Sequence, residues 1–193
     1  MEMFRPTRDG GASVRLSAGE ATLLRTLVVP VMELLSERDG GRVVADARRD
    51  EDEPSRVLDD LEQIFEADTP ETPEDPVLAR LLPDAYQDDP AAAGEFRKYT
   101  ESSLREAKKY FAQTLLDTLP PNGGRVKLTG DQARDWLRAL NDVRLMFGVR
   151  LEVTEDFEDQ LAALSPEDPK IAAFEVYGWL GAVQESLVQA LAR

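Results

Sequence analysis

The chain has 193 residues, with 38 acidic and 23 basic side chains, a formal net charge of −15 and 42% apolar residues. That composition suits one domain with a sizeable core and no need of disulfide or metal staples. Cysteine and histidine are both absent, which excludes a thiol nucleophile, a Cys/His zinc site, a thiol redox switch and any triad whose base is imidazole.

The start is acidic, and the longest apolar run, 27–32, is far too short to span a bilayer. A cytoplasmic protein with no membrane contact is expected. Ser13-Val-Arg-Leu16 alternates as a strand does, with residues 2–6 as a hairpin partner, and Ser17-Ala-Gly-Glu20 reads as a capping box. The helix it opens runs to about Leu35, with Leu23, Leu24, Leu27, Val28, Val31, Leu34 and Leu35 as its buried stripe and Pro30 inside it. Asp39-Gly-Gly41 stops that helix, and Arg42-Val-Val-Ala45 is a further short strand.

Residues 46–76 are an acidic, partly flexible insertion. Within 46–75 lie 13 acidic and 3 basic groups, and only Val57, Leu58, Leu61, Ile64 and Phe65 recur at helical spacing, as one short docked helix. Asp50-Glu-Asp-Glu53 has the oxygens for a hard cation but lacks the alternating ligands and central glycine of an EF-hand loop, so a solvated run is favoured and no metal is assigned. Residues 77–82 form a short helix ended by Pro83, and a long helix covers 90–118. Ala93, Phe96, Thr100, Leu104, Ala107, Phe111, Leu115 and Leu119 give it an apolar stripe, while Arg97, Lys98, Arg105, Lys108 and Lys109 fall on a neighbouring face. Those five cations are the candidate interaction face, in a region, 95–150, that holds 11 basic groups against 7 acidic ones.

Val126-Lys-Leu-Thr-Gly-Asp-Gln-Ala133 repeats the pattern of Val14-Arg-Leu-Ser-Ala-Gly-Glu-Ala21, 112 residues on. Each copy is a strand leading into a capped helix, and the glycine pairs 10–11, 40–41 and 123–124 precede strands as turns, since none sits in a phosphate-binding frame. The helix from 130 to about 147 is buried on more than one side, which makes Arg138, Asn141, Asp142 and Arg144 a candidate structural ion-pair network joined to the long helix through Arg97 or Arg105. Residues 149–153 either form a strand or continue that helix, and Ser165-Pro-Glu-Asp168 caps a last helix to 192. The fold class is therefore α+β and mainly α-helical, a single domain over 1–193 with five or six helices and a small sheet of short strands. Helices 90–118, 130–147 and 166–192 form its core.

Four stretches carry a family resemblance: Arg80-Leu-Leu-Pro-Asp-Ala-Tyr86, Glu95-Phe-Arg-Lys-Tyr-Thr-Glu101 with Leu104-Arg105, Trp136-Leu-Arg-Ala-Leu-Asn-Asp-Val-Arg-Leu145 and Tyr177-Gly-Trp-Leu180. Together they resemble an actinobacterial family of small acidic proteins of unknown function, typically encoded beside the Clp protease adaptor, over nearly the whole length. That family includes an oxidative-stress transcriptional regulator that responds to oxidants through a cysteine pair and acts with a stress sigma factor at promoters. The resemblance implies a non-enzymatic, transcription-associated regulator that contacts RNA polymerase or a sigma factor; the residues themselves offer no catalytic set and no cofactor site, and the field of an acidic protein repels DNA, so DNA is expected to be contacted only indirectly. The cysteine response does not carry over, because this chain has no cysteine. A runner-up reading is an adaptor or accessory of Clp-dependent proteolysis, with Clp components as partners. A carboxylate-based enzyme, using Asp142 or a metal held by Asp/Glu side chains, ranks last, since no cluster has convincing ligand spacing and no nucleophile or base pair is visible.

Overall fold

The computed structural model describes residues 2–37, 73–86, 88–165, 167–168 and 170–192. The expected strand over 42–45, its preceding stop signal, the acidic run 50–53 and the docked helix over 57–65 lie outside the described residues. In chain order the elements are β1 (Arg5–Pro6), β2 (Ala12–Leu16), α1 (Ala18–Glu37), α2 (Pro76–Leu81), α3 (Pro90–Thr118), β3 (Gly124–Leu128), α4 (Gly130–Arg150), α5 (Phe157–Ala162) and α6 (Lys170–Leu191). This is a mainly helical α+β architecture, with six helices and three strands among the described residues.

The sheet is antiparallel in the order β1-β2-β3. Val14 stands opposite Val126, its equivalent in the 112-residue repeat, and on either side of that pair the antiparallel register sets Ser13 against Lys127 and Arg15 against Arg125. Each strand then enters a helix through the same reciprocal cap. Ser17 Oγ accepts from the Glu20 N–H at 3.2 Å while Glu20 Oε2 accepts from the Ser17 N–H at 2.7 Å. Thr129 Oγ1 accepts from the Gln132 N–H at 3.2 Å while Gln132 Oε1 accepts from the Thr129 N–H at 3.0 Å. Two of the orphan donors at each helix start are thereby satisfied. Gly123, at φ +72°, makes the turn into β3, and a Cβ there would lie 2.5 Å from both Ala18 N and Ser17 C. Only glycine fits that approach.

Helix α4 is the centre of the fold, packed against α3, α6, α2 and α1. Its Trp136 and Leu140 are fully buried among Leu24, Leu115 and Leu187 from α1, α3 and α6. Trp136 donates its indole N–H to Thr118 Oγ1 at 2.8 Å, and Phe4 meets its ring edge-on with centroids 5.9 Å apart. Residues 149–153 do not form a strand. Helix α4 runs to Arg150, and the chain leaves it through Glu152 at φ 54°, with the Val153 N–H returning to the Gly148 carbonyl at 2.9 Å. Asp75 and Asp89 each accept two backbone N–H bonds at the starts of α2 and α3, ahead of a proline in the first turn. The last helix starts at Lys170, whose N–H donates to Asp168 Oδ1 at 2.8 Å.

Candidate functional site: the long helix α3 and its charged rows

Residues four apart on a helix stand one above the other, and on α3 the row that turns inward is Arg97, Glu101 and Arg105, continued by Lys108, Ala112, Leu115 and Leu119. Arg97 and Glu101 are 6% exposed and Arg105 8%. Charges reach such burial only when paired, and here they are. Arg97 forms an ion pair with Asp84, from the segment after α2, and lies 3.6 Å from Glu101 Oε2, while Arg105 Nη1 lies 3.6 Å from Glu101 Oε1. Lys108 Nζ meets Asp142 Oδ1 at 2.5 Å, and Lys109 pairs with Glu106 one turn back. Lys98 is half-buried. The five cations therefore do not share one exposed surface. Arg97 and Arg105 belong to an interior ladder, and Lys108 pins α3 to α4.

The apolar stripe expected on α3 is displaced for the same reason. Ala93, Leu115 and Leu119 are buried, but Phe96 and Leu104 are exposed and Phe111 is half-buried. Asp84 and Asp142, contributed by other elements, turn the charged row inward and leave the flanking apolar residues at the rim.

The residues expected to form one network on α4 are also separated. Asp142 is held by Lys108, not by Arg97 or Arg105, and its pKa is raised because burial outweighs the hydrogen bond and charge of Lys108. Arg138 pairs with Asp135 at 3.1 Å and lies 4.7 Å over the Phe111 ring. Arg144 donates to Gln184 at 2.8 Å and lies 5.2 Å over the Tyr177 ring of α6. Asn141 is exposed. Asp142 thus bridges two helices, while Arg138 and Arg144 anchor opposite flanks of α4. Among the described residues no three acidic side chains gather as a metal site, and no helix is long and apolar enough to cross a membrane.

What α3 offers to a partner is aromatic. Phe96, Tyr99 and Tyr110 are exposed, Tyr110 by 63%, and at 100° per residue they fall within about 60° of arc over roughly 21 Å of helix. Tyr86 joins them, edge-on to Phe96 at 6.0 Å. Beside Phe96 a depression of about 240 Å³ opens between α3 and the segment after α2, lined by Leu82, Pro83, Ala93, Thr100 and Leu104, with Arg97 at its base. In the sequence these aromatics are spaced like half of an ordinary amphipathic helix. Their signal was that a second, charged row lay across the same helix with a choice of carboxylates to receive it.

Mycobacterial proteins named oxidative stress regulator AosR are similar to this chain. The protein from Mycobacterium tuberculosis is 38% identical over 201 residues, covering 96% of this chain and 84% of the relative. The protein from Mycobacterium bovis matches with the same identity and coverage. No solved structure matches the chain. A family described as Domain of unknown function (DUF2017) matches residues 1–191, and the chain belongs to that family.

Proposed function

We propose that the protein is a non-enzymatic cytoplasmic regulator that acts by protein contact on the transcription apparatus, RNA polymerase or a sigma factor, without thiol sensing. The regulatory role rests on the relatives named oxidative stress regulator AosR. The mode of action rests on one observation, the exposed aromatic row Phe96, Tyr99 and Tyr110 on α3. Tyrosine is enriched among residues that dominate binding energy, because it buries a large ring at low entropic cost and keeps a polar tip. Around Phe96, with Tyr86 edge-on to it and Tyr99 less than one turn along the helix, the exposed rings form a local apolar patch, and such patches mark contact sites. The absence of cysteine removes any disulfide response, so the contact is constitutive with respect to thiol oxidation.

The test is affinity purification of the tagged protein from its native host, with and without oxidant, quantified by mass spectrometry. Enrichment of RNA polymerase or a sigma factor under both conditions is expected. Enrichment of Clp components alone would overturn this reading in favour of a proteolysis accessory, and enrichment that appears only after oxidation would overturn the thiol-independent part.

A further inference from the structure

A second concave surface lies on the other flank of α4 and has no part in the proposed contact. It is a cleft of about 580 Å³ between α2, α4 and α6, lined by Arg80, Asn141, Arg144, Val149, Glu152 and Tyr177 among others. Three of the four stretches that carry the family resemblance each contribute residues to it. Arg144 is held in place on several sides. Its Nη1 donates to Gln184 and its Cζ lies 5.2 Å over the Tyr177 ring. Its Nε is shielded from solvent and makes no hydrogen bond among the described residues. Neither Arg144 nor Arg80 forms an ion pair among the described residues, in contrast to Arg97, Arg105 and Lys108 on α3. Two guanidiniums, of which that of Arg144 is held in orientation, share the lining of the cleft with the apolar side chains of Leu145, Val149 and Val153 and the Tyr177 ring.

We propose that this cleft binds a small organic acid, whose carboxylate meets Arg144 and Arg80 and whose apolar body lies on Val149, Leu145 and Tyr177. Guanidinium matches carboxylate geometry in a bidentate fork, and a cleft of this size with an apolar wall and a few convergent polar groups is the usual form of a small-molecule site. Glu152 sets the charge limit. Its carboxylate shares the cleft, so a single negative charge is favoured and a compact dianion such as phosphate is repelled.

The probe is salicylate, a flat aromatic monocarboxylate, titrated into the isotope-labelled full chain at constant ionic strength and followed by amide NMR, with inorganic phosphate in a parallel arm. Saturable shifts at Leu145, Gly148, Val149 and Tyr177 are expected, with a Kd on the order of 1 mM for a ligand of this size. Arg144→Gln and Arg80→Gln should each weaken it about tenfold or more, the loss of one charged hydrogen-bonding partner. The Arg80 variant leaves the α4–α6 packing untouched, so it keeps the test valid if Arg144→Gln unfolds. Phosphate should bind at least about tenfold more weakly than salicylate and gain in the Glu152→Gln variant. Shifts that never saturate, or that persist unchanged in the Arg80 variant, would overturn the site. Phosphate binding as tightly as salicylate would overturn the ligand class.

Discussion

Replacing Glu101 by glutamine preserves side-chain shape and removes the one charge that stands between Arg97 and Arg105. Each guanidinium lies 3.6 Å from a Glu101 oxygen, a gross attraction of about 4.6 kcal/mol per pair at an effective dielectric of about 20. Most of that gross figure is spent on desolvating the three ions, so it is not the stability lost. The relevant quantity is the penalty of leaving a buried charge uncompensated, about 3–5 kcal/mol when one partner of a buried pair is removed. Arg97 keeps Asp84 and Arg105 keeps contacts beyond Glu101, which places the expected loss at the lower end, about 3 kcal/mol, or a fall in Tm of about 6–12 °C for a chain of this length. Urea unfolding followed by circular dichroism measures it directly. Pairing Glu101→Met with Arg105→Leu removes both members of one pair and should recover most of the loss, since well-packed apolar replacements of buried ion pairs are often neutral. A loss below about 1 kcal/mol, the range of exposed pairs, would refute the placement of this row in the interior and return Arg97 and Arg105 to an outward face.

Asp142 gives a prediction with a defined sign. Burial raises its pKa above the ordinary 3.8, so the folded state holds this proton more firmly than the unfolded chain. Its contribution to stability is therefore complete below the unfolded value and is lost as pH rises through the folded one. The stability of the native protein relative to Asp142→Asn should fall as pH rises from about 4 toward 7 in paired urea titrations. A difference that instead grows in favour of the native protein would show that Lys108 outweighs burial. At the sheet, Gly123→Ala adds both a left-handed backbone penalty and a clash with the backbone at Ser17 and Ala18, and should cost at least about 3 kcal/mol. Gly10→Ala, at φ +75° but with open space around it, should cost only about 1–2 kcal/mol. Equal effects in thermal unfolding would contradict the close approach at Gly123.

Much of the fold is legible in the sequence because local chemistry dictates it. Asp89 ahead of Pro90 and the pair of prolines at 120–121 bracket α3, and the two capping boxes start α1 and α4 where their Ser/Thr and Glu/Gln stand three apart. The repeat in residues 14–21 and 126–133 likewise anticipates two strands of one small sheet, each leading into a capped helix, whereas their register, with Val14 opposite Val126, is set by the fold. What the sequence does not disclose is which row of α3 faces in. Rows 97/101/105 and 96/100/104 both have helical spacing and lie about 100° apart, so periodicity shows that stripes exist without ranking them. The ranking comes from Asp84 and Asp142, which approach α3 from other elements and make burial of a charged row tolerable. The same non-local origin explains why Asp142 selects Lys108 rather than Arg97 or Arg105, and why Arg144 turns toward Gln184 and Tyr177, 40 and 33 positions away in the chain.

The central claim is that the aromatic row of α3, not a basic one, carries the contact with the transcription apparatus. Its most direct test is biolayer interferometry of purified host RNA polymerase holoenzyme against the native protein, a Tyr99→Ser/Tyr110→Ser variant and a Lys98→Glu/Lys109→Glu variant, each checked for native unfolding behaviour. The tyrosine variant should lose about 50-fold in affinity, about 2.3 kcal/mol, while the lysine variant changes chiefly the association rate and its salt dependence. Native affinity in the tyrosine variant, with loss confined to the lysine variant, would contradict the account.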